Sequence, residues 1–454
     1  MSGKIKTALF DSNTFKLDQH YPRPSIAHDA KPFSKQPLTA LYLILYIPFL
    51  LIIVPIYANL RWVYLRLFVP TAPNWSLLNF VTVYLVRHTV WYWWCTTKGG
   101  LRGIFHANLT EQQRKRRRAW FGAMPDEIQP FSLEELVEPM RSWAVETDAQ
   151  DLQGTVPIWW MGDRGNALKQ SKAKKDETLL VYLTGGGYMI SSCHPAVPLA
   201  HLMQHVMKEF KTSNSKRLPK SAVTVEYRKS GEAPTPCALM DCLALYKHLL
   251  EDLRFDPNNI VIMGDSAGGH LVNSLIRYGQ DADIPTPKAA IFICPWTEQA
   301  GTIVEHPHSS FQRNKPYDVL SDNFYHMCRD TFAMHFKQPN KTLLDVYFSP
   351  CSVLGKVTKN GKLIKESEES TIFQDWPKTF VIGCYGDILF DQSTEMYRRV
   401  LLSKEAEGKA TTKEEISLHL MEGSHDPFVA PSFVFAKERK KALKVLCEWV
   451  ANSL

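Results

Sequence analysis

The residues whose types and spacing point most directly to chemistry form the hexapeptide GDSAGG at positions 264–269. It follows a short apolar run and precedes a helical pattern, which predicts a sharp strand-to-helix turn that presents a serine hydroxyl. Gly264 and Gly268 stand two positions on either side of Ser266, where side chains would block the close approach of helix and strand. We therefore predict that Ser266 is a nucleophile. A glycine-rich turn used only for packing is the alternative.

A glycine run earlier in the chain offers backbone hydrogen-bond donors. Thr184, Gly185, Gly186 and Gly187 directly follow another short apolar run. Successive glycines can turn their N–H groups toward the oxygen of a substrate carbonyl, and we assign this role to Gly186 and Gly187. The N–H of Ala267, at the positive end of the predicted helix, is the third expected donor. Thr184 and Gly185 are expected to support this loop; a plain flexible loop is the alternative.

A carboxylate and an imidazole follow the serine in chain order. Asp387 lies just beyond an apolar run, in the sequence YGDILFDQ, and His425 lies just beyond the last such run, in MEGSHDPF. A carboxylate placed there can accept a bond from an imidazole N–H and fix its tautomer. The imidazole can then take the proton of Ser266 and return it to a leaving alcohol. We therefore predict a triad of Ser266, His425 and Asp387.

Three other residues compete for these roles. Asp391 directly precedes a predicted helix at 392–403, so we interpret it as the N-cap of that helix. His419 alternates within a predicted strand, and His270 lies on the helix that follows Ser266. Both histidines are more simply explained as structural.

The elements that must position these residues alternate along the chain. Short β-branched or aromatic runs are separated by longer helical patterns, which predicts an α/β fold with a mostly parallel sheet flanked by helices. Loops at the carboxyl ends of the strands should build the site. We assign residues 142–454 to this catalytic domain. The predicted strands are 156–161, 179–183, 222–227, 260–263, 289–294, 379–383 and 416–420, and the predicted helices are 237–252, 267–278, 392–403 and 436–451.

Two stretches fit the alternation poorly. They are residues 102–140 and the aromatic, polar run at about 297–345. Both are candidates for a helical cap over the site, the second as an insertion into the catalytic domain. We therefore describe residues 61–141 as a membrane-proximal and cap segment.

The N-terminal region predicts a membrane anchor. After a mostly polar tail at 1–39, twenty residues at 40–59 carry no charge. As a helix rising about 1.5 Å per residue they would cross a bilayer core of ~30 Å, so we place a transmembrane helix at 40–60. A buried core helix and a cleaved signal sequence are the alternatives, and the long polar tail argues against the latter. The apolar stretch at 77–95 contains Arg87 and His88, which suits an interfacial helix or a lid better than a second span.

Glycosylation sequons bear on the orientation of the chain. They begin at Asn74, Asn108 and Asn340, all beyond the anchor, and they can be used only on the luminal side. Basic residues on both sides of the anchor give little direction. We therefore expect a single-pass glycoprotein of the endoplasmic reticulum membrane with its catalytic domain in the lumen.

Bulk composition excludes several other classes of protein. The 454 residues are 45% hydrophobic and 22% charged, which is ordinary for a globular chain. Much of the net charge of +7 lies in short runs such as 114–118, which we interpret as a solvated helix face or membrane contact, with no nucleic-acid partner. The nine cysteines show no zinc-binding spacing, so no metal is expected, although one or two disulfides remain open. The oligomeric state is left open.

With these motifs placed, the chain resembles the hormone-sensitive-lipase group of α/β-hydrolases from about residue 179 to the C-terminus. The motifs that carry the resemblance occur in the order of the family. Thr184 departs from the family pattern, which usually has histidine there. The motifs are YR at 227–228, EAP at 232–234, FDPNNIVIMGDSAGGHL, CPWT, YFSP and WPKTFVIGCYGDILFDQ.

Within that group, an anchor followed by a hydrolase body resembles the fungal steryl acetyl hydrolases and the arylacetamide deacetylases. The resemblance implies a serine carboxylesterase that deacetylates lipophilic acetates, steryl acetates first, through an acyl-enzyme and without a cofactor. A lipophilic acetylated molecule and the lipid bilayer are the implied partners. The alternatives are an acyltransferase on the same triad, a broad arylacetamide or lipid esterase, and a binding protein, which would be expected to lack a triad residue.

Overall fold

A sheet of eight strands forms the body of the protein in the computed structural model. Strand order is β1-β2-β4-β3-β5-β6-β9-β10, with β1 and β2 antiparallel to their neighbours and the other strands parallel. The structure describes residues 38–69, 73–96, 123–165, 171–190, 192–193, 201–213, 215–230, 233–304, 306–353, 356–409 and 411–454. The strands are β1 (Ala123–Ile128), β2 (Val156–Gly162), β3 (Leu179–Leu183), β4 (Ser221–Val225), β5 (Ile260–Asp265), β6 (Ala289–Ile293), β9 (Lys378–Cys384) and β10 (Ile416–Met421), and a separate hairpin comprises β7 (Thr358–Lys359) and β8 (Lys362–Leu363).

Helices cover both faces of this sheet. Alternate residues of a strand point to opposite faces, so Val181 of β3 lies in one apolar core and Leu180 in the other. Because both of their faces are buried, the central parallel strands β3 and β6 are apolar throughout. The helices of the body outside the cap are α4 (Met140–Glu146), α5 (His201–Thr212), α6 (Cys237–Lys247, extended by the π-helical turn His248–Asp252), α7 (Ala267–Asp281), α11 (Phe390–Ala406) and α12 (Ala436–Ser453).

The predicted α/β-hydrolase architecture is confirmed, and each predicted strand and helix falls on an observed one. Several observed elements escaped the prediction, among them α4, α5 and the hairpin of β7 and β8. A further one is β1, which pairs with β2 at the edge of the sheet and lies inside the stretch 102–140 that we proposed as a cap. Ala123–Ile128 therefore belongs to the central sheet, while residues 102–122 lie outside the described part of the chain, as do the basic run at 114–118 and the tail at 1–37.

In the described part of the insertion between β6 and β9, three α-helices lie within residues 297–345. They are α8 (Ser310–Asn314), α9 (Asp322–Ala333) and α10 (Pro339–Thr342). Two of these helices, α8 and α9, have a serine N-cap. The hydroxyl of Ser309 accepts the N–H of Gln312, and the hydroxyl of Ser321 accepts the N–H of Phe324.

The N-terminal residues form a helical hairpin. Helix α1 (Leu38–Pro48) continues through a π-helical turn (Phe49–Ile53) into α2 (Val54–Phe68), and α3 (Leu77–Thr96) returns alongside it. Within the described residues one helix, Ile44–Phe68, is long and apolar enough to cross a membrane. The antiparallel pairing is fixed by ring contacts, including Phe49 with His88 and Tyr57 with Tyr84.

This hairpin packs on the body close to the predicted catalytic loops. Trp75, at the turn, forms an edge contact with Phe435 and lies so close to Gly386 that a Cβ there would be 2.2 Å from the Trp75 ring. Tyr84 donates a hydrogen bond to the carbonyl of Pro316 in the inserted segment. The hairpin therefore contacts the loop that precedes Asp387.

Candidate active site

Ser266 occupies the turn between β5 and α7. Its backbone has φ 51° and ψ −120°, a conformation that a residue with a side chain adopts only when its surroundings enforce it. The flanking glycines allow that turn. A Cβ on Gly264 would lie 2.3 Å from the carbonyl oxygen of Gly268, and one on Gly268 would lie 2.0 Å from that of Leu183. The hydroxyl-bearing residue is 7% exposed and faces a cavity.

Asp387 and His425 meet at the carboxyl ends of β9 and β10. The Nδ1 of His425 lies 3.0 Å from Oδ1 of Asp387, which also accepts the N–H of Leu389 at 2.8 Å. This bond fixes the ring so that Nε2 is the nitrogen left for proton transfer. Ser266 and His425 line the same cavity, so the structure brings together the three residues that the sequence proposed as a triad.

The charges around His425 set its basicity. Burial by itself lowers the pKa of the imidazole, but Asp387, followed by Asp318 and Asp426, favours the protonated form and raises the pKa to about 9. A base of raised pKa holds a transferred proton more firmly, and it acts only in its neutral form.

The glycine loop after β3 lies across the cavity from His425. Gly186 and Gly187 have φ 104° and 60°, values that favour glycine, and both line the cavity with Ser266. The loop is held by side chains from elsewhere. The Tyr227 hydroxyl donates to the carbonyl of Thr184 at 2.7 Å, and the N–H of Gly185 donates to Oδ1 of Asp265 at 2.9 Å. Thr184, at the position where the resemblance leads us to expect histidine, is fully buried.

Ala267 begins helix α7 directly after the serine. Its N–H belongs to the first turn of the helix, where backbone donors lack intrahelical partners and the helix dipole is positive. Gly186 and Gly187 line the cavity, and Ala267 directly follows Ser266, which also lines it.

A pair of buried carboxyl groups joins the serine turn to the histidine loop. Asp265 precedes Ser266, Asp426 follows His425, and the two carboxyl groups are close enough to interact electrostatically. Both oxygens of Asp426 and Oδ2 of Asp265 are buried without a hydrogen-bond partner among the described residues. Burial raises the pKa of both groups, and the charge of Asp265 raises the pKa of Asp426 further. Asp265 also accepts the hydroxyl of Tyr182 at 2.5 Å. The pair therefore lies where the serine turn, the histidine loop and β3 meet, and sequence reasoning missed it.

Asp318, in the inserted segment, is a second residue that sequence reasoning missed. Its side chain is fully buried, with Oδ1 accepting the N–H of His425 at 2.8 Å and Oδ2 accepting the N–H of Ile388 at 2.7 Å. Burial, followed by the charge of Asp387, raises the pKa of this carboxyl to about 7. One carboxylate thus holds the loops of the base and of the acid together. Nothing in the sequence around Asp318 signals this contact.

The competing residues have other roles. Asp391 is not the N-cap of α11, because Leu389 occupies that position without a side-chain cap bond. Instead Asp391 accepts the N–H of Ser310 at 2.6 Å and tethers α8. His270 bonds to the hydroxyl of Tyr188, and His419 lies half-buried in β10.

The cavity above Ser266 is small and mostly apolar, with a volume of about 120 Å³. Helix α9 of the insertion forms one wall with Phe324, Tyr325 and Cys328, and helix α3 of the hairpin contributes Val86 and Arg87. Both the insertion at 297–345 and the helix predicted as an interfacial or lid element therefore contact the site.

The remaining predicted sites are placed as follows. Asn74 is exposed at the turn of the hairpin, Asn340 is half-buried in α10, and Asn108 lies outside the described residues. The eight described cysteines that are free thiols are all buried. Among the described residues, Cys294, Asp387 and His425 are close enough to offer ligands to one ion, but the last two already bond to each other.

Comparison with known proteins agrees with this geometry. Residues 180–416, just over half of the chain, match a family described as having the α/β-hydrolase fold, and the chain belongs to that family. A solved esterase of the bacterial hormone-sensitive lipase family superposes with a TM-score of 0.52 at 17% identity, covering 84% of this chain and 99% of the esterase. This likeness agrees with the predicted α/β-hydrolase fold.

Curated relatives match shorter stretches. An acetyl-hydrolase of Streptomyces hygroscopicus is 31% identical over 128 residues, which cover 28% of this chain and 39% of the relative. Arylacetamide deacetylase-like 3 of Mus musculus is 28% identical over 186 residues, covering 38% and 39% respectively. The chain thus spans about two fifths of the length of these relatives.

Proposed function

We propose that this protein is a serine carboxylesterase that removes acetyl groups from lipophilic esters. The observation that carries the proposal is the hydrogen-bonded pair of His425 and Asp387 beside a cavity that contains Ser266 at a strained turn. The family membership and the names of the matched acetyl-hydrolase and deacetylase-like relatives support a hydrolytic deacetylation.

In the proposed mechanism Ser266 attacks the acetyl carbonyl while Nε2 of His425 takes its proton. The N–H groups of Gly186, Gly187 and Ala267 stabilise the oxyanion, and one such donor contributes roughly 3–4 kcal/mol. His425 returns the proton to the departing alcohol, leaving an acetyl group on Ser266. Water then attacks this acyl-enzyme with His425 as base, and acetate leaves.

The shape and surroundings of the cavity support the proposed substrate class. A space of about 120 Å³ above Ser266 suits a short acyl group, and its walls are apolar. A bulky apolar alcohol extending from that space would contact the hairpin of α2 and α3. We therefore propose steryl acetates as substrates, with other lipophilic acetates and arylacetamides as the alternatives to be separated by a substrate panel.

The same proposal includes a location. Helix Ile44–Phe68 would anchor the chain in the endoplasmic reticulum membrane as a single span, with the body in the lumen and glycans on sequons such as Asn74. Glycosidase digestion should increase the electrophoretic mobility of the protein, and unchanged mobility would contradict the luminal orientation.

The test uses the full-length protein in liposomes with a steryl acetate labelled in its acetyl group. The wild type should release free labelled acetate, Ser266→Ala should release none, and Ser142→Ala, which changes an exposed serine, should behave as the wild type. Label found on an added alcohol instead of in free acetate would indicate an acyltransferase. Activity retained by Ser266→Ala would exclude this nucleophile.

A further inference from the structure

A second cavity lies between the two arms of the hairpin. It is an open groove of about 480 Å³ between α2 and α3, closed at one side by Pro316 of the inserted segment. We call it the hairpin groove. Its lining is aromatic and aliphatic, with residues such as Phe49, Ile53 and Tyr84, but it also contains Arg61, Arg87 and His88.

Arg87 lines both the hairpin groove and the cavity above Ser266. Its Nη1 donates to the carbonyls of Lys315 at 2.7 Å and Asp318 at 3.1 Å, so the guanidinium is fixed where the two spaces meet. The side chain of Asp318 in turn accepts the N–H of His425. Asp318 is therefore the single residue that connects Arg87, at the end of the groove, to His425, the proposed base.

The surroundings of the groove define what it would bind. The outer face of the long helix exposes large apolar side chains, including Ile44, Leu51 and Leu60, which in water would form a costly apolar surface and in a bilayer would face lipid. A ligand that reaches the groove from that side must itself be lipophilic. The basic side chains at the inner end offer donors that suit ester oxygens, and Nε of Arg61 is buried without an acceptor in the described part of the chain.

We propose that the hairpin groove is the route by which a bilayer-dissolved ester reaches Ser266, binding its apolar alcohol moiety while Arg87 receives the ester oxygens. This proposal rests on the proposed function. It assigns to α3 a part of the substrate site in addition to its packing against the anchor helix. Water-soluble acetates would not depend on the groove, because they can enter the cavity without partitioning into lipid.

The experiment compares two adjacent isoleucines. Ile53 lines the groove and is 51% exposed, whereas Ile52 is 56% exposed and does not line it, so neither substitution by tryptophan disturbs a packed core. Full-length wild type, Ile53→Trp and Ile52→Trp are assayed in liposomes with a steryl acetate and, separately, with the water-soluble 4-nitrophenyl acetate. Ile53→Trp should lower kcat/KM for the steryl acetate by about tenfold or more, the loss of roughly 1.4 kcal/mol of binding, with little change for the soluble ester. Ile52→Trp should change neither.

Other outcomes overturn the proposal. Equal losses on both esters would indicate a general disturbance of the enzyme, and unchanged steryl acetate turnover in Ile53→Trp would show that substrate takes another path. If the wild type hydrolyses neither ester, the proposed function fails. The groove is then judged by crosslinking of a photoreactive steryl acetate in the same liposomes, which Ile53→Trp should abolish and Ile52→Trp should leave intact; crosslinking that Ile53→Trp does not reduce would refute the groove as a binding site.

Discussion

Replacing Asp318 by asparagine tests how the inserted segment positions the catalytic base. In the wild type both carboxylate oxygens accept backbone N–H groups, from His425 at 2.8 Å and from Ile388 at 2.7 Å. Asparagine has nearly the same shape but offers one oxygen and one amide NH₂. One of the two buried N–H groups would therefore face another donor.

The expected fall in kcat/KM for Asp318→Asn follows from the loss of one hydrogen bond to a charged group. Such a bond contributes about 1.5–3 kcal/mol, and an unsatisfied buried N–H costs a similar amount. If the displaced loop moves His425 or Asp387 away from the reacting atoms, this energy is lost from the transition state. Since about 1.4 kcal/mol corresponds to a factor of ten in rate, kcat/KM should fall by about 10- to 100-fold.

The pH dependence separates positioning from a general loss of stability. The charge of Asp318 helps to raise the pKa of His425 to about 9, together with the charges of Asp387 and Asp426. His425 acts as a base only when neutral, so kcat/KM is lost as pH falls through its pKa. Removing one of these negative charges lowers that pKa. The acidic limb of the profile should therefore move to lower pH in Asp318→Asn.

The assay is kcat/KM for a water-soluble acetate, measured from about pH 5 to about pH 10. Asp391→Asn is the matched control, because Asp391 is also a buried carboxylate that accepts a backbone N–H of the insertion but makes no bond to the triad. The control should lower stability without moving the limb. An Asp318→Asn profile with an unmoved limb, or with wild-type kcat/KM, would refute the positioning role.

Three further predictions concern the same site. Asp387→Asn should reduce kcat by roughly 10⁴-fold, because asparagine no longer fixes the imidazole tautomer; circular dichroism should show an intact fold, and a loss below tenfold would argue for another acid. Asp426→Asn should stabilise the protein, since asparagine can donate to Asp265 and tolerates the observed φ of 39°. The folded-state pKa of Asp426 lies well above its unfolded value, so ionisation costs stability increasingly as pH rises above that unfolded value. The gain in the free energy of unfolding should therefore be larger at about pH 8 than at about pH 4. The difference is on the order of 1.4 kcal/mol for each tenfold difference between the acid dissociation constants of the folded and unfolded states. A gain independent of pH would contradict the raised pKa of Asp426. Gly187→Ala should lower kcat by about 10- to 1000-fold, because its φ is 60° and the added Cβ would lie 2.4 Å from Sγ of Cys328; adding Cys328→Ala should restore part of the activity, and no restoration would show that backbone strain alone causes the loss.

Local constraints made much of this protein predictable from its sequence. The runs that became β3, β6 and most of β5 are continuously apolar because parallel strands are buried on both faces, and such runs can be recognised in a sequence. Ser266 could be identified because its turn requires small residues at fixed positions beside it. Asp387 and His425 could be proposed because functional side chains gather at the carboxyl ends of parallel strands.

Other features depended on contacts that leave no local pattern. Strand β1 was missed because an edge strand carries polar residues such as Asp126 and Glu127 and reads as a loop. Asp391 was assigned to a helix cap from its position alone, whereas its carboxylate in fact binds Ser310 of a distant segment. In both cases the partner is remote in sequence. Strand β1 pairs with β2, and Asp391 binds Ser310, and neither contact leaves a pattern in the neighbouring residues.

The sequence by itself determined the order of the strands along the chain, the nucleophile turn and the identity of the residues able to form a triad. Only the folded structure shows that Asp318 accepts the N–H groups of His425 and Ile388, that Asp265 and Asp426 are close enough to interact, and that Arg87 borders two cavities. The physical reason is that a turn or a buried strand restricts the types of residues that are neighbours in the sequence, so the sequence itself shows a pattern. A buried carboxylate instead bonds to donors from distant segments. In the sequence such an aspartate looks like any other, until the fold brings it and its donors together.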